Sequence, residues 1–271
     1  MHRLLTLVLA APALLAQPDR GVNFYSIGKE QALGAQLAAE YRKGVTVIDN
    51  AMVNAYLNDL GQRLAAKTAG QTFTYTFELV DANPRFLNEP AAFPGGPIFI
   101  PAQLILAAKS EDELAGMLAH SIAHIAARHG TKQATKDQIV NQATVPLIYM
   151  GGSQGYALQQ GQTLAVPFGF VKFQRQLELQ ADSLAVQTMA AAGYDPSSLA
   201  DYIERAQPPD NLPPPSISPL PGRTARLESI RTAIDALPPA TYPPHDAFAG
   251  IQEEAARLNV RPAKAPPRLA R

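Results

Sequence analysis

His120 and His124 stand four residues apart, so on a helix both rings project from one face and can grip a single metal ion. Glu178 and Asp182 repeat that spacing further along the chain. A carboxylate carried in on a second helix would complete a two-histidine, one-glutamate zinc site with its fourth position left for water. Asp182, one turn beyond Glu178, is placed to accept the free N–H of a ligand histidine and so fix its tautomer. Each pair alone is weak evidence, because two histidines on a helix are common and Glu178 with Asp182 could be a solvated face paired with Arg175. Together they favour the metal site. The chain has no cysteine, which excludes disulfide scaffolds, thiolate zinc sites, iron–sulfur ligation and a cysteine nucleophile, and leaves any metal to His, Asp or Glu.

Two helices must position these groups. Ser110-Glu-Asp-Glu113 is a capping box in which the Ser110 hydroxyl takes the amide of Glu113 and the Glu113 carboxylate returns to the Ser110 amide, so a helix starts at residue 111. Leu114, Leu118, Ile122 and Ile125 lie about 200° round from the histidines, which predicts a helix buried on one side and functional on the other. The second helix runs from about Phe173 to Ala192 and stops at Gly193, and Asp195-Pro196 opens the next. Upstream, Ser26 to Lys43 and Asp49 to Lys67 read as helices, the latter with Met52, Tyr56, Leu60 and Leu64 as its apolar stripe. The alternating segment 73–80, and Ile98 to Ile100 after Pro94-Gly-Gly96, predict two strands. Gly151 to Gly169, rich in Gly and Gln, suits a surface segment. Beyond residue 207 the chain holds 14 of its 24 prolines, and only Arg223 to Leu237 and Ala247 to Leu258 read as helices there. The fold class is α+β, mainly helical, with a small β-sheet packed beside the metal-binding helices.

With 271 residues, 46% of them apolar, the chain can bury a substantial core. Twenty-three basic residues cancel twenty-three acidic ones and only 17% of residues are charged, so nothing marks a nucleic-acid partner. His2 and Arg3 before the apolar run Leu4 to Leu15 read as a secretory signal peptide, cleaved near Ala16-Gln17, with no later apolar stretch of membrane-spanning length. The expected organisation is a signal peptide over 1–16, a catalytic-type domain over 17–207 and a Pro-rich C-terminal segment over 208–271. The mature form is expected to be periplasmic or secreted, with no integral membrane segment.

The run Ser110-Glu-Asp-Glu-Leu-Ala-Gly-Met-Leu-Ala-His-Ser-Ile-Ala-His-Ile-Ala-Ala-Arg-His-Gly130 resembles the active-site helix of the zinc metallopeptidases that include HtpX, the CAAX prenyl proteases and their soluble periplasmic relatives. Arg175-x-x-Glu178-x-x-Ala181-Asp182 through Ala192-Gly-Tyr-Asp-Pro196 is similar to their second metal helix, and Ser26 to Glu30 with Gly34 and Pro94-Gly-Gly96 add supporting matches. The resemblance covers about residues 23 to 235. It implies a zincin-like fold, one Zn2+ held by His120, His124 and Glu178, and Asp182 as their support.

The departures bear on activity. The family motif is His-Glu-x-x-His, whose glutamate moves the proton of the attacking water; here the position is Ser121, whose hydroxyl cannot act as that base near neutral pH. Leu220-Pro221 followed by Arg226 is the best match to a His-Pro and arginine further on, which puts Leu220 where a histidine binding the tetrahedral intermediate is implied; His245 is an alternative source. Gln180 stands where a second acidic residue is usual, and Gln103 where glycine is. His129 repeats a family feature but falls off the ligand face and reads as structural. Three functions remain open: a zinc peptidase of the bacterial envelope impaired by loss of the catalytic glutamate and acting on unfolded or envelope proteins in protein quality control; an active endopeptidase with another base; and a non-catalytic, chaperone-like pseudo-enzyme.

Overall fold

The computed structural model describes residues 22–81, 89–141, 168–208, 210, 221–245 and 247–258. The leader, the 151–167 part of the Gly/Gln-rich segment and Leu220 lie outside them. Nine helices and four short strands are present among the described residues, a mainly helical α+β fold.

α1 (Ile27–Gly44) starts where the Ser26 hydroxyl accepts the amide of Lys29, with Glu30 in the first turn and Arg42 and Lys43 in the last, as the helix dipole favours. After β1 (Thr46–Val47), α2 (Ala51–Ala65) is capped by Asn50. Its buried stripe is Val53, Leu57, Leu60 and Leu64, while Met52 is exposed. The expected stripe stepped by four throughout, and such steps drift about 40° each on a helix of 3.6 residues per turn. The observed 4-3-4 steps do not drift.

β2 (Thr76–Asp81), β3 (Ala91–Ala92) and β4 (Pro97–Pro101) complete a sheet of order β1-β2-β4-β3. β2 and β4 run parallel, while β1 and β3 pair antiparallel on the two edges. Alternation divides the strands: Phe77, Leu79, Ile98 and Ile100 join the main core with α2, and Val80 and Phe99 meet Ala38 and Tyr41 of α1. α1 approaches the turn before β4 so closely that a Cβ on Gly34 would fall 1.6 Å from the Pro94 carbonyl oxygen. That contact fixes the edge of the sheet against the helix.

After α3 (Ala102–Ala107) comes α4 (Glu111–Ala126), the histidine helix. The Ser110 hydroxyl accepts the Glu113 amide as expected, but the Glu113 carboxylate takes the amide of Lys109 instead of Ser110, and Arg205 donates to both its oxygens. α4 is also buried nearly all round, His120 and Ser121 included, because α6 (Phe168–Ala192) packs along the face expected to be open. α5 (His129–Asn141) lies between them in sequence. α6 ends in a Schellman motif: the Tyr194 amide donates to Met189, the Gly193 amide to Ala190, and Gly193 takes φ +87°. α7 (Ser197–Ala206), α8 (Arg223–Asp235) and α9 (Phe248–Arg257) follow, and Leu227, Ile230, Phe248 and Ile251 enter the same core. No described helix is long and apolar enough to cross a membrane.

Candidate metal centre

α4 and α6 bring His120, His124 and Glu178 to one point. His120 Nε2 and His124 Nε2 are 3.1 Å apart, and Glu178 Oε2 lies 3.5 Å from the first and 3.6 Å from the second. Ligand atoms on a tetrahedral zinc with bonds of ~2.0–2.2 Å are separated by about 3.3–3.6 Å, so the three atoms trace one face of such a tetrahedron. Glu178 Oε2 is buried and has no hydrogen-bond donor. Leaving it so is costly, and a cation at the common point would satisfy it together with both ring nitrogens. The two imidazoles hold the Glu178 carboxyl well below its usual range against the opposing effect of burial.

The charge around the site also fits a dication. Glu89, Glu178 and Asp182 are buried carboxylates and Arg226 is a buried guanidinium, so with neutral histidines the set carries two net negative charges. The residues present therefore fit zinc in donor type, spacing and charge.

Each histidine is oriented from behind. His120 Nδ1 faces Asp182 Oδ1 at 2.9 Å, in a bent approach that acts as an ion–ring contact more than an aligned hydrogen bond. Burial would lower the His120 pKa, but Asp182 and Glu178 override it and push it up to about 9. Arg226 clamps Asp182 with Nε to Oδ2 at 2.9 Å and Nη2 to Oδ1 at 2.7 Å, and holds its carboxyl below the usual range against burial. For His124 the support comes from His129, whose Nδ1 is 3.2 Å from His124 Nδ1 and whose Nε2 is 3.0 Å from Gln180 Oε1. Gln180 Oε1 only accepts, so His129 carries its proton on Nε2 and takes the His124 Nδ1–H, which leaves His124 Nε2 free for the metal. Burial, reinforced by His124, keeps the His129 pKa well below normal, as a neutral ring requires.

This corrects the expectation that His129 falls off the ligand face. α4 does not continue to it: Arg128 takes φ +58°, the chain turns, and α5 starts at His129 with its ring against His124. Gln180, met in the sequence as a departure, is the acceptor that pairing needs.

Ser121 lines a cavity of about 90 Å³ together with His120, His124, Glu178, Glu89 and Gln133. Its hydroxyl donates to the Met117 carbonyl at 3.0 Å, so its proton is committed to the helix backbone. Leu220 is outside the described residues. His245 stacks on Tyr194 and lies 3.7 Å from Asp112 Oδ1, at the opposite end of α4 and about 12 Å along the axis from His120, so it does not reach the cluster of His120, His124 and Glu178. Glu89, beside the edge strand, is the acidic cavity residue the sequence did not single out. An acid followed by proline in an apolar stretch was the only signal.

The fold, with a histidine helix and an acidic helix packed beside a small mixed sheet, is zincin-like. Residues 51–234 match Peptidase family M48, and the chain belongs to that family. It is 27% identical over 202 residues to the beta-barrel assembly-enhancing protease of Escherichia coli (strain K12), covering 69% of this chain and 40% of that protein. It is 28% identical over 263 residues to the putative beta-barrel assembly-enhancing protease of Vibrio cholerae, covering 89% and 54%. A third relative, the mitochondrial metalloendopeptidase OMA1 of Schizosaccharomyces pombe, is 33% identical over 122 residues, 43% of this chain and 34% of the relative. The chain thus spans about half or less of the length of these relatives.

Proposed function

We propose that this protein is a zinc metallopeptidase-family component of the bacterial envelope that engages unfolded or envelope polypeptides and hydrolyses them slowly, because α4 carries Ser121 in place of the motif glutamate. The observation that carries the reading is the triangle of His120 Nε2, His124 Nε2 and Glu178 Oε2, with sides of 3.1, 3.5 and 3.6 Å, opening on a cavity that Ser121 lines. Zinc held there would supply Lewis-acid activation of water and of a peptide carbonyl. Asp182 and His129 hold the two rings in the orientation that presents Nε2 to the ion. Residues 1–16 act as the leader in this reading, and the mature chain works in the periplasm; the bacterial relatives are named for enhancing beta-barrel assembly.

Metal analysis of the purified chain, paired with hydrolysis of casein with and without a chelator, tests this. One zinc per chain, with turnover at least ~10³-fold below a family member that has the glutamate, is expected. A chain without zinc overturns the reading. Rapid casein hydrolysis overturns the slow-peptidase part, and bound zinc with no hydrolysis at all points to the chaperone-like pseudo-enzyme.

A further inference from the structure

We infer that Glu89 is the proton acceptor of this site, supplied from the edge of the sheet in place of the glutamate that α4 lacks. The inference rests on the metallopeptidase reading and names the group that sustains its remaining turnover.

Three glutamates line the cavity among the described residues: Glu30, Glu89 and Glu178. Glu178 belongs to the metal triangle. Glu30 Oε2 is taken by Arg128 Nε at 2.5 Å and by the Thr131 hydroxyl at 3.0 Å. Its Oε1 has no hydrogen-bond partner, but its charge is met by Arg128 and Lys132, whereas that of Glu89 is felt by Arg226 and the ligand groups His120 and Glu178. Glu89 is left, only 6% exposed, with its Oε1 buried and without a hydrogen-bond partner. It stands outside the cluster of metal-capable atoms lying within 4.8 Å of one another, so it does not form a fourth ligand there. A carboxylate close to the ligand set but not in it is where a group must sit to take a proton from a water in the cavity.

Glu89 is also held in place. Pro90 follows it with a restricted backbone, and Ala91 then pairs with Phe99 in the sheet, so the carboxylate hangs from a rigid edge. Arg226 Nη1 lies 3.6 Å from Glu89 Oε1 while the same guanidinium clamps Asp182. One arginine therefore positions both the candidate acceptor and the support of His120. Burial raises the Glu89 carboxyl above its ordinary 4.5; Arg226 and His120 oppose this, and Glu178 and Asp182 reinforce it. Raising a carboxyl towards neutrality is what a base in this role needs.

In the step, the water oxygen forms a bond to the carbonyl carbon while its proton goes to the Glu89 carboxylate and the carbonyl π pair moves onto the carbonyl oxygen. That pair then re-forms C=O, the C–N bond breaks with its electron pair going to nitrogen, the departing nitrogen takes the proton from Glu89, and Glu89 returns to its ionised form.

The test uses the full zinc-loaded chain with Glu89→Gln and Glu89→Asp, after melting curves confirm that each folds. Binding of acetohydroxamic acid is measured calorimetrically in two buffers of different ionisation enthalpy, which counts protons released. The acid loses a proton when it chelates the metal. In wild type that proton should stay in the site on Glu89, giving a net release near zero, and in Glu89→Gln about one proton should appear in solution, with Glu89→Asp between. Zinc affinity should change less than about tenfold, as for a group that does not ligate. Casein kcat should fall a further ~10²-fold in Glu89→Gln with KM unchanged. Equal proton counts in wild type and Glu89→Gln with zinc bound overturn the role of Glu89 and leave the metal site intact. A chain that binds no zinc overturns the metallopeptidase reading and Glu89 with it, and absent casein turnover removes the peptidase reading while the proton count still decides for or against Glu89.

Discussion

Arg226 of α8 reaches Asp182 of α6 through two hydrogen bonds, at 2.9 and 2.7 Å, and the oxygen at 2.7 Å is the one that faces His120 Nδ1. The metal face of α4 is thus braced from the C-terminal part of the chain. Both partners are fully buried, so removing either strands a charge. Arg226→Met and Asp182→Asn should each cost about 3–5 kcal/mol in denaturant unfolding. The double substitution should cost less than the sum by more than about 1 kcal/mol, since the two act as one pair. Additive losses would mean that the clamp contributes nothing as a pair.

Metal binding should be readable as stability. Zinc at a hundredfold above its Kd should raise the unfolding free energy by about 2.7 kcal/mol, with reversal by EDTA. Glu178→Ala should show no such gain. Asp182→Ala and His129→Ala should retain the gain but require ~10–100-fold more zinc, because each removes the support of one ring and not a ligand. Chelator competition measures all three, and a wild-type affinity in His129→Ala would dismiss the His129–Gln180 pairing as incidental.

Ser121→Glu should increase casein hydrolysis without changing zinc affinity, because the side chain would enter the cavity that Ser121 lines. In a Glu89→Gln background the gain should span the ~10²–10⁴ expected of a general base. In wild type it should be smaller, since Glu89 already performs part of that work. No gain in either background would show that position 121 is not where this fold needs an acceptor.

The parts of the site legible in the sequence were those fixed by helical spacing. Four-residue intervals placed His120 with His124 and Glu178 near Asp182, and the Ser110–Glu113 cap set the start of α4. What spacing could not show was which segment faces that helix across the cavity. Glu89 enters through the pairing of a two-residue edge strand with β4 and the approach of α1 at Gly34, both set by long-range packing. His129 was misplaced for a local reason: a left-handed residue at Arg128 ends one helix and starts another, and nothing in the residue type announces it, since glycine is the usual choice there. The brief strands β1 and β3 were also missed, being too short to show alternation.

Asp137 on α5 provides a pH test apart from the metal ligands. Its side chain is 3% exposed, Oδ2 has no hydrogen-bond partner, and burial pushes its carboxyl up to about 7, opposed by Lys136. A carboxyl raised above its unfolded value of 3.8 favours the folded state when protonated. Its contribution is therefore complete below about pH 4 and is lost as pH rises through about 7. Asp137→Asn keeps the position neutral at every pH. Relative to wild type, the variant's stability advantage should grow as pH rises from 5 to about 7 and level off by pH 8, the change across that range being on the order of 2 kcal/mol. Denaturant unfolding of zinc-saturated samples across that range checks it, with zinc holding the ligand charges constant. Parallel stability curves for the two proteins would show that the Asp137 carboxyl is hydrated or paired in solution and not held in its buried, proton-retaining state.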